Sequence, residues 1–254
     1  MPAWRRLGPM PRPRLILEFM SDFSRIPENL ARVRERLEAA ANTCGRSVVL
    51  PAVPKTFPAE AVDVALAAGQ KAFGENYVQE GVEKIEWFKE KRPDSGIVWH
   101  FIGPLQSNKT RPVAEHFDWV ESIDRLKIAQ RLNDQRPENL PPLNVLIEVN
   151  IDGEASKSGV VPDDLPALIE SVRALPRLKL RGLMTIPAPA DTREEKMKPL
   201  IAMRSLFDGL KDRYGFDTLS MGMSADMTEA VEAGSTEVRV GSAIFGARHY
   251  PAKA

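Results

Sequence analysis

The chain has 254 residues, with 35 basic and 35 acidic side chains and a formal net charge of zero. At 43% hydrophobic and 28% charged residues, the composition is that of a soluble globular protein, not of a disordered tail, a fibre or a membrane span. The charge balance argues against general nucleic-acid binding and against electrostatic membrane binding, because both want a basic excess. The single cysteine, Cys44, excludes an internal disulfide and a thiolate metal cluster.

The first 22 residues stand apart. Arg5, Arg6, Arg12 and Arg14 alternate with Pro2, Pro9, Pro11 and Pro13, and no acid precedes Glu18. The bias resembles an organellar targeting segment, but serine is missing before Ser21 and the prolines break any amphipathic helix. Residues 1–22 are therefore read as a disordered leader or a targeting segment. The expected location is cytoplasmic, with a mitochondrial or other organellar alternative if residues 1–20 act as an address. No stretch of 18 apolar residues occurs, so no transmembrane helix is expected.

From residue 23 onward the chain alternates. Leu30, Val33, Leu37 and Ala40 mark an N-terminal amphipathic helix. Eight short apolar runs follow, at 48–53, 71–76, 99–103, 119–123, 144–150, 180–186, 219–224 and 237–245. Such runs suit strands buried on both faces. Helical patterns lie at 59–68, 78–91, 124–135 (with Asp124 as expected N-cap), 162–174, around 200–210, and at 225–233, ending on Gly234. This alternation predicts an α/β fold, a single (β/α)8 TIM barrel with an added N-terminal helix, over residues 23–254. The alternative is an open doubly wound sheet. That fold usually carries a Gly-rich phosphate turn after its first strand, where this chain has Pro54-Lys55-Thr56.

Barrel sites lie at the C-terminal ends of the strands. Lys55 follows the first run directly; partial desolvation there would make it a carbonyl nucleophile, and the plainer reading is a surface lysine opening a loop. Ser224 after the seventh run, and Gly241 and Ser242 in the eighth, sit where barrels commonly hold a phosphate. The plainer reading is a helix cap and a turn. Arg239 lies between two valines and needs a buried acceptor, either a ligand or a structural partner such as Glu148. The histidines His100, His116 and His249 show no metal-ligand spacing, so no metal site is expected. A lysine, a phosphate cradle and a buried arginine together suggest pyridoxal 5′-phosphate (PLP).

The stretches carrying these residues resemble a known family. They are Ala52-Val53-Pro54-Lys55-Thr56, Phe73-Gly74-Glu75-Asn76-Tyr77-Val78-Gln79-Glu80, Trp99-His100-Phe101-Ile102-Gly103, Leu105-Gln106-Ser107-Asn108-Lys109, Glu154-Ala155-Ser156-Lys157-Ser158-Gly159, Gly182-Leu183-Met184-Thr185, 219–224 and 238–246. In this order they resemble the PLP homeostasis (PLP-binding) protein family, whose fold is that of the alanine racemase N-terminal barrel. The resemblance implies that Lys55 carries PLP as a Schiff base and that Asn76 lies beside its ring. It implies that Ser224, Gly241 and Ser242 hold the phosphate, that Arg239 faces the ring nitrogen, and that Met221 packs against the cofactor. Lys157 would be a secondary or transfer lysine. One departure is Pro54, where the family usually has a small polar residue.

Function follows from the same residues. An arginine facing the pyridine nitrogen disfavours its protonation and makes a poorer electron sink. None of Tyr77, Tyr214 and Tyr250 is an obvious second acid/base, and only eight residues follow Gly246, so the second domain of the racemases is not expected. The expectation is a monomeric, non-enzymatic PLP carrier in vitamin B6 homeostasis, with PLP-dependent apo-enzymes as partners and with no nucleic-acid or membrane partner. The alternatives are a PLP-dependent amino-acid racemase or related enzyme, and a Schiff-base aldolase or contact barrel without PLP.

Overall fold

The computed structural model describes residues 22–154 and 157–246. Residues 1–21 of the expected leader, Ala155 and Ser156 of the Lys157 loop, and the tail with Tyr250 lie outside the described residues.

A short 3-10 turn, Asp22–Arg25, leads into α1 (Ile26–Thr43), which buries Ile26, Leu30, Val33, Leu37 and Ala40 on one face, as the spacing predicts. The chain continues through α2 (Ala59–Ala67), β1 (Ala72–Glu75), α3 (Val78–Lys91), β2 (Val98–Phe101), α4 (Thr110–His116), β3 (Trp119–Ile123) and α5 (Leu126–Gln135). Then come β4 (Leu143–Glu148), α6 (Leu165–Arg173), β5 (Leu178–Met184), α7 (Arg193–Tyr214), β6 (Thr218–Ser220), α8 (Met227–Ala233) and α9 (Ser242–Phe245). The strands pair in sequential order, all parallel. Helices cover the outer face. Phe73, Phe101 and Phe117 are fully buried, each contributing about 1.5–3 kcal/mol.

The expected closed barrel of eight strands is corrected. The sheet is an open, curled half-barrel of six strands. The first and eighth runs form no strand and meet their neighbours through the isolated bridges Val49↔Glu237, Ala52↔Phe73, Ala52↔Val240 and Ser220↔Glu237 and the main-chain hydrogen bonds around them. The reason is local. Pro51 and Pro54 have no N–H to give a ladder. The eighth run leaves extended structure at Gly241 and turns into α9.

Other boundaries also move. Helix α4 has no counterpart in the sequence reading, because it is one short segment with Pro112 in its first turn. Asp124 does not cap α5; Arg125 holds that position without a side-chain bond. Helix α7 begins earlier than its apolar stripe because Thr192 and Glu195 form a capping box, each satisfying the other's main-chain N–H. Ser224 is not an N-cap either: α8 starts at Met227 behind Asp226, whose Oδ1 accepts from the Met223 N–H at 2.7 Å. Gly234 ends α8 at φ 112°, a left-handed conformation suited to glycine. No helix of the described residues is long and apolar enough to cross a membrane.

Candidate functional site

The strand ends open onto a cavity of about 370 Å³, within the range of small-molecule sites. Lys55, Asn76, Ser224, Arg239, Gly241 and Ser242 all line it. Residues more than 180 positions apart thus meet because the bridges at Ala52 bring the first and eighth runs together. Val53 N–H donates to the Val240 carbonyl at 2.9 Å, which sets Lys55 beside Gly241. Met221 is fully buried and does not line the cavity; Met223 does, with Phe57, Ile102 and Ile186 supplying apolar surface.

One end of the cavity suits an anion. At the start of α9 the Ile244 and Phe245 N–H groups donate to the Gly241 carbonyl, so the Ser242 and Ala243 N–H groups lie ahead of the first helical bond. The Ser242 hydroxyl comes within 3.5 Å of the Ser224 hydroxyl. A Cβ on Gly241 would meet the Val53 carbonyl at 3.0 Å, so a larger residue there would push the two segments apart by a few tenths of an ångström.

Arg239 also lines the cavity and is 4% exposed. Its guanidinium donates to the Ser220 hydroxyl and to the Thr185 carbonyl, the latter at 3.1 Å. The sequence reading offered Glu148 as its structural partner. The structure gives Glu121 instead, at 3.8 Å, with Glu148 acting only as a more distant charge. Ser220 Oγ also lies 2.7 Å from Glu121 Oε2 and 2.8 Å from Glu237 Oε1. A hydroxyl has one proton to donate, so one of these carboxyls must itself donate. His100 decides which. Its Nδ1 lies 2.8 Å from Glu121 Oε1 and 3.8 Å from Glu237. Burial alone would raise Glu121, but the His100 bond and the charges of His100 and Arg239 hold it well below the ordinary carboxylate range. Burial, and then the Glu121 charge, push Glu237 up to about 8. Burial alone would lower His100, but the two glutamates outweigh it and raise it. Glu237 therefore holds the proton and Glu121 the charge.

His100, Glu121 and Glu237 bring ligand-type atoms within 4.8 Å of one another. Their mutual hydrogen bonds and the adjacent guanidinium make them a proton-holding network rather than a cation site. Glu121 and Glu237 were missed in the sequence. The available signal was a glutamate inside an apolar strand run, Trp119-Val120-Glu121-Ser122-Ile123, the counterpart of Arg239 between its valines. Glu148, 8% exposed, is raised to about 7 by burial and by Asp124, against Arg239. Lys157 sits outside the cavity, donating to Asp152 at 2.6 Å.

Residues 26–249 match the family model described as alanine racemase, N-terminal domain. The pyridoxal phosphate homeostasis protein of Escherichia coli (strain K12) is 58% identical over 232 residues, covering 90% of this chain and 99% of its own. A solved protein from Bifidobacterium adolescentis described as unknown superposes with TM-score 0.82 at 32% identity, covering 88% of this chain and 96% of its own. PipY of Synechococcus elongatus, solved with PLP bound, superposes with TM-score 0.75 at 35% identity, covering 87% and 100%.

Proposed function

Because the chain belongs to the pyridoxal phosphate homeostasis protein family, we propose that it binds PLP non-enzymatically, carries it as a Schiff base on Lys55, and serves intracellular vitamin B6 homeostasis. The observation that carries this reading is the cavity itself, where one lysine, a Gly-Ser anion cradle and a buried arginine converge. PLP supplies an aldehyde that condenses with amines and a ring that can accept electrons. Lys55 offers the amine. Gly241, Ser242 and Ser224 offer donors to the phosphate. Asn76 has a buried Oδ1 with no partner among the described residues, a polar atom available to a ligand. Arg239, fixed by Ser220, Thr185 and Glu121, would disfavour protonation of a ring nitrogen placed against its guanidinium.

That arrangement favours carriage over turnover. Racemisation needs a second acid/base on the opposite face of the substrate. Neither tyrosine among the described residues lines the cavity. Tyr77 is 51% exposed, and Tyr214 bonds Glu170 at 3.0 Å on the helix layer. Transfer of PLP to apo-enzymes from the open mouth belongs to this same proposal.

The test is an absorption spectrum of the purified protein beside Lys55→Ala, with amino-acid α-proton exchange measured on both. A visible band in the wild type that is lost in the variant, with exchange no faster than free PLP, is expected. No band after added PLP overturns the cofactor reading, and exchange well above free PLP overturns the carrier reading.

A further inference from the structure

Lys55 is presented by a strained turn. Phe57 N–H donates to the Pro54 carbonyl at 2.9 Å, closing a four-residue turn with Lys55 and Thr56 at its centre. Thr56 has φ 70° and is the one non-glycine residue with positive φ among the described residues. That value belongs to the second central residue of a type II turn, a place for glycine or asparagine. For a β-branched residue it is an outlier. Threonine on its own would favour a type I turn, in which the Lys55–Thr56 peptide is flipped.

One side chain from α3, Glu80, opposes the flip directly, and a second, Lys84, anchors the start of the turn and Glu80 itself. The Thr56 N–H donates to Glu80 Oε2 at 2.9 Å. Lys84 Nζ donates to the Pro54 carbonyl at 3.0 Å and to Glu75 Oε1 at 2.6 Å, and lies 3.9 Å from Glu80. The Lys84 and Glu75 side chains are 6% and 0% exposed, so the anchor is buried and well defined. The Thr56 hydroxyl does not explain the strain, since its Oγ1 is buried without a partner. Pro54, the departure noted in the sequence, contributes its carbonyl as the shared acceptor for Phe57 and Lys84.

Resting on the cofactor reading above, we infer that Glu80 and Lys84 are positioning residues for Lys55, holding its turn in the conformation that Thr56 disfavours so that the amine is preset for an aldehyde in the cavity. In that condensation the Lys55 nitrogen, reacting as –NH2, bonds to the aldehyde carbon, its two protons leave with the aldehyde oxygen as one water, and a C=N bond remains. Neither positioning residue lines the cavity. They therefore govern the covalent step and leave recognition of ring and phosphate to other groups.

The test compares wild type, Glu80→Ala, and Glu80→Ala with Thr56→Asn. Glu80 is partly exposed, so its truncation leaves the core intact. Two ligands are titrated: PLP, read by its visible band, and pyridoxine 5′-phosphate, which has the ring and phosphate but an alcohol in place of the aldehyde, read by calorimetry. Glu80→Ala is expected to weaken PLP binding about tenfold, or about 1.4 kcal/mol, while pyridoxine 5′-phosphate changes less than about twofold. Thr56→Asn, which takes the left-handed region readily, is expected to restore most of the loss. Equal losses for both ligands, no loss for PLP, or no recovery with asparagine overturns the inference. A wild type that binds PLP without the band overturns the cofactor reading beneath it, and the inference with it.

Discussion

Replacing Glu237 by glutamine keeps the shape and the hydrogen-bond donor of the protonated carboxyl while removing its ability to ionise. Glu237 is 2% exposed, and its carboxyl is raised from 4.5 to about 8 by burial and by Glu121. A shift from 4.5 to about 8 means that the folded chain binds this proton about three-thousandfold more tightly, and at about 1.4 kcal/mol per tenfold this comes to at most about 5 kcal/mol. Rearrangement of Ser220 and His100 absorbs part of it, leaving about 2–5 kcal/mol. The sign follows from the raised value. Between pH 4.5 and 8 the unfolded chain has released this proton and the folded chain has kept it. Stability is therefore fully present below 4.5 and is lost as pH rises to 8. Glutamine has no proton to lose. Relative to wild type, the variant should gain stability steadily across that window and hold the gain above it. Chemical denaturation at pH 5 and pH 9, comparing midpoints at constant slope, reads the difference. A wild-type-to-variant gap that is the same at both values would refute the assignment of the proton to Glu237.

Further expectations follow from single contacts. A Cβ on Gly103 would lie 2.1 Å from the Asn76 carbonyl. Gly103→Ala must therefore push apart the two segments at the cavity edge, costing about 1–3 kcal/mol in denaturant midpoint and weakening ligand binding as well. Arg239→Gln removes one of the two cations beside buried Glu121, leaving His100 alone against that charge, and strips Ser220 and the Thr185 carbonyl of their donor. A loss of about 3–5 kcal/mol is expected in the same assay. Thr192→Ala removes the α7 capping box and should cost about 1 kcal/mol without changing any cofactor spectrum, because Thr192 does not line the cavity.

Much of the site was legible because its residues carry chemistry in places where packing alone would not put them. Lys55 after an apolar run, Arg239 between valines, and serine and glycine at two late turns were each ambiguous. The family resemblance joined them, and the structure brings them to one cavity. The six central runs were legible as strands because parallel strands buried on both faces are continuously apolar, as in Leu143–Glu148. The first and eighth runs look the same in sequence. Whether such a run joins a ladder depends on its prolines and on the turn at Gly241. Single-residue patterning does not weigh these against hydrophobicity. The proton network was hidden for a different reason. Glu121 and Glu237 are far apart in the chain, and each reads as an isolated acid until the curled sheet places both against Ser220.

The measurement closest to the central claim is reductive trapping. The wild-type protein is incubated with PLP, reduced with borohydride, digested and mapped by mass spectrometry. The account predicts a phosphopyridoxyl adduct on the peptide containing Lys55, lost in Lys55→Ala without transfer of comparable label elsewhere. Label on Lys157 or another lysine with Lys55 unmodified, or no label at all, would contradict it.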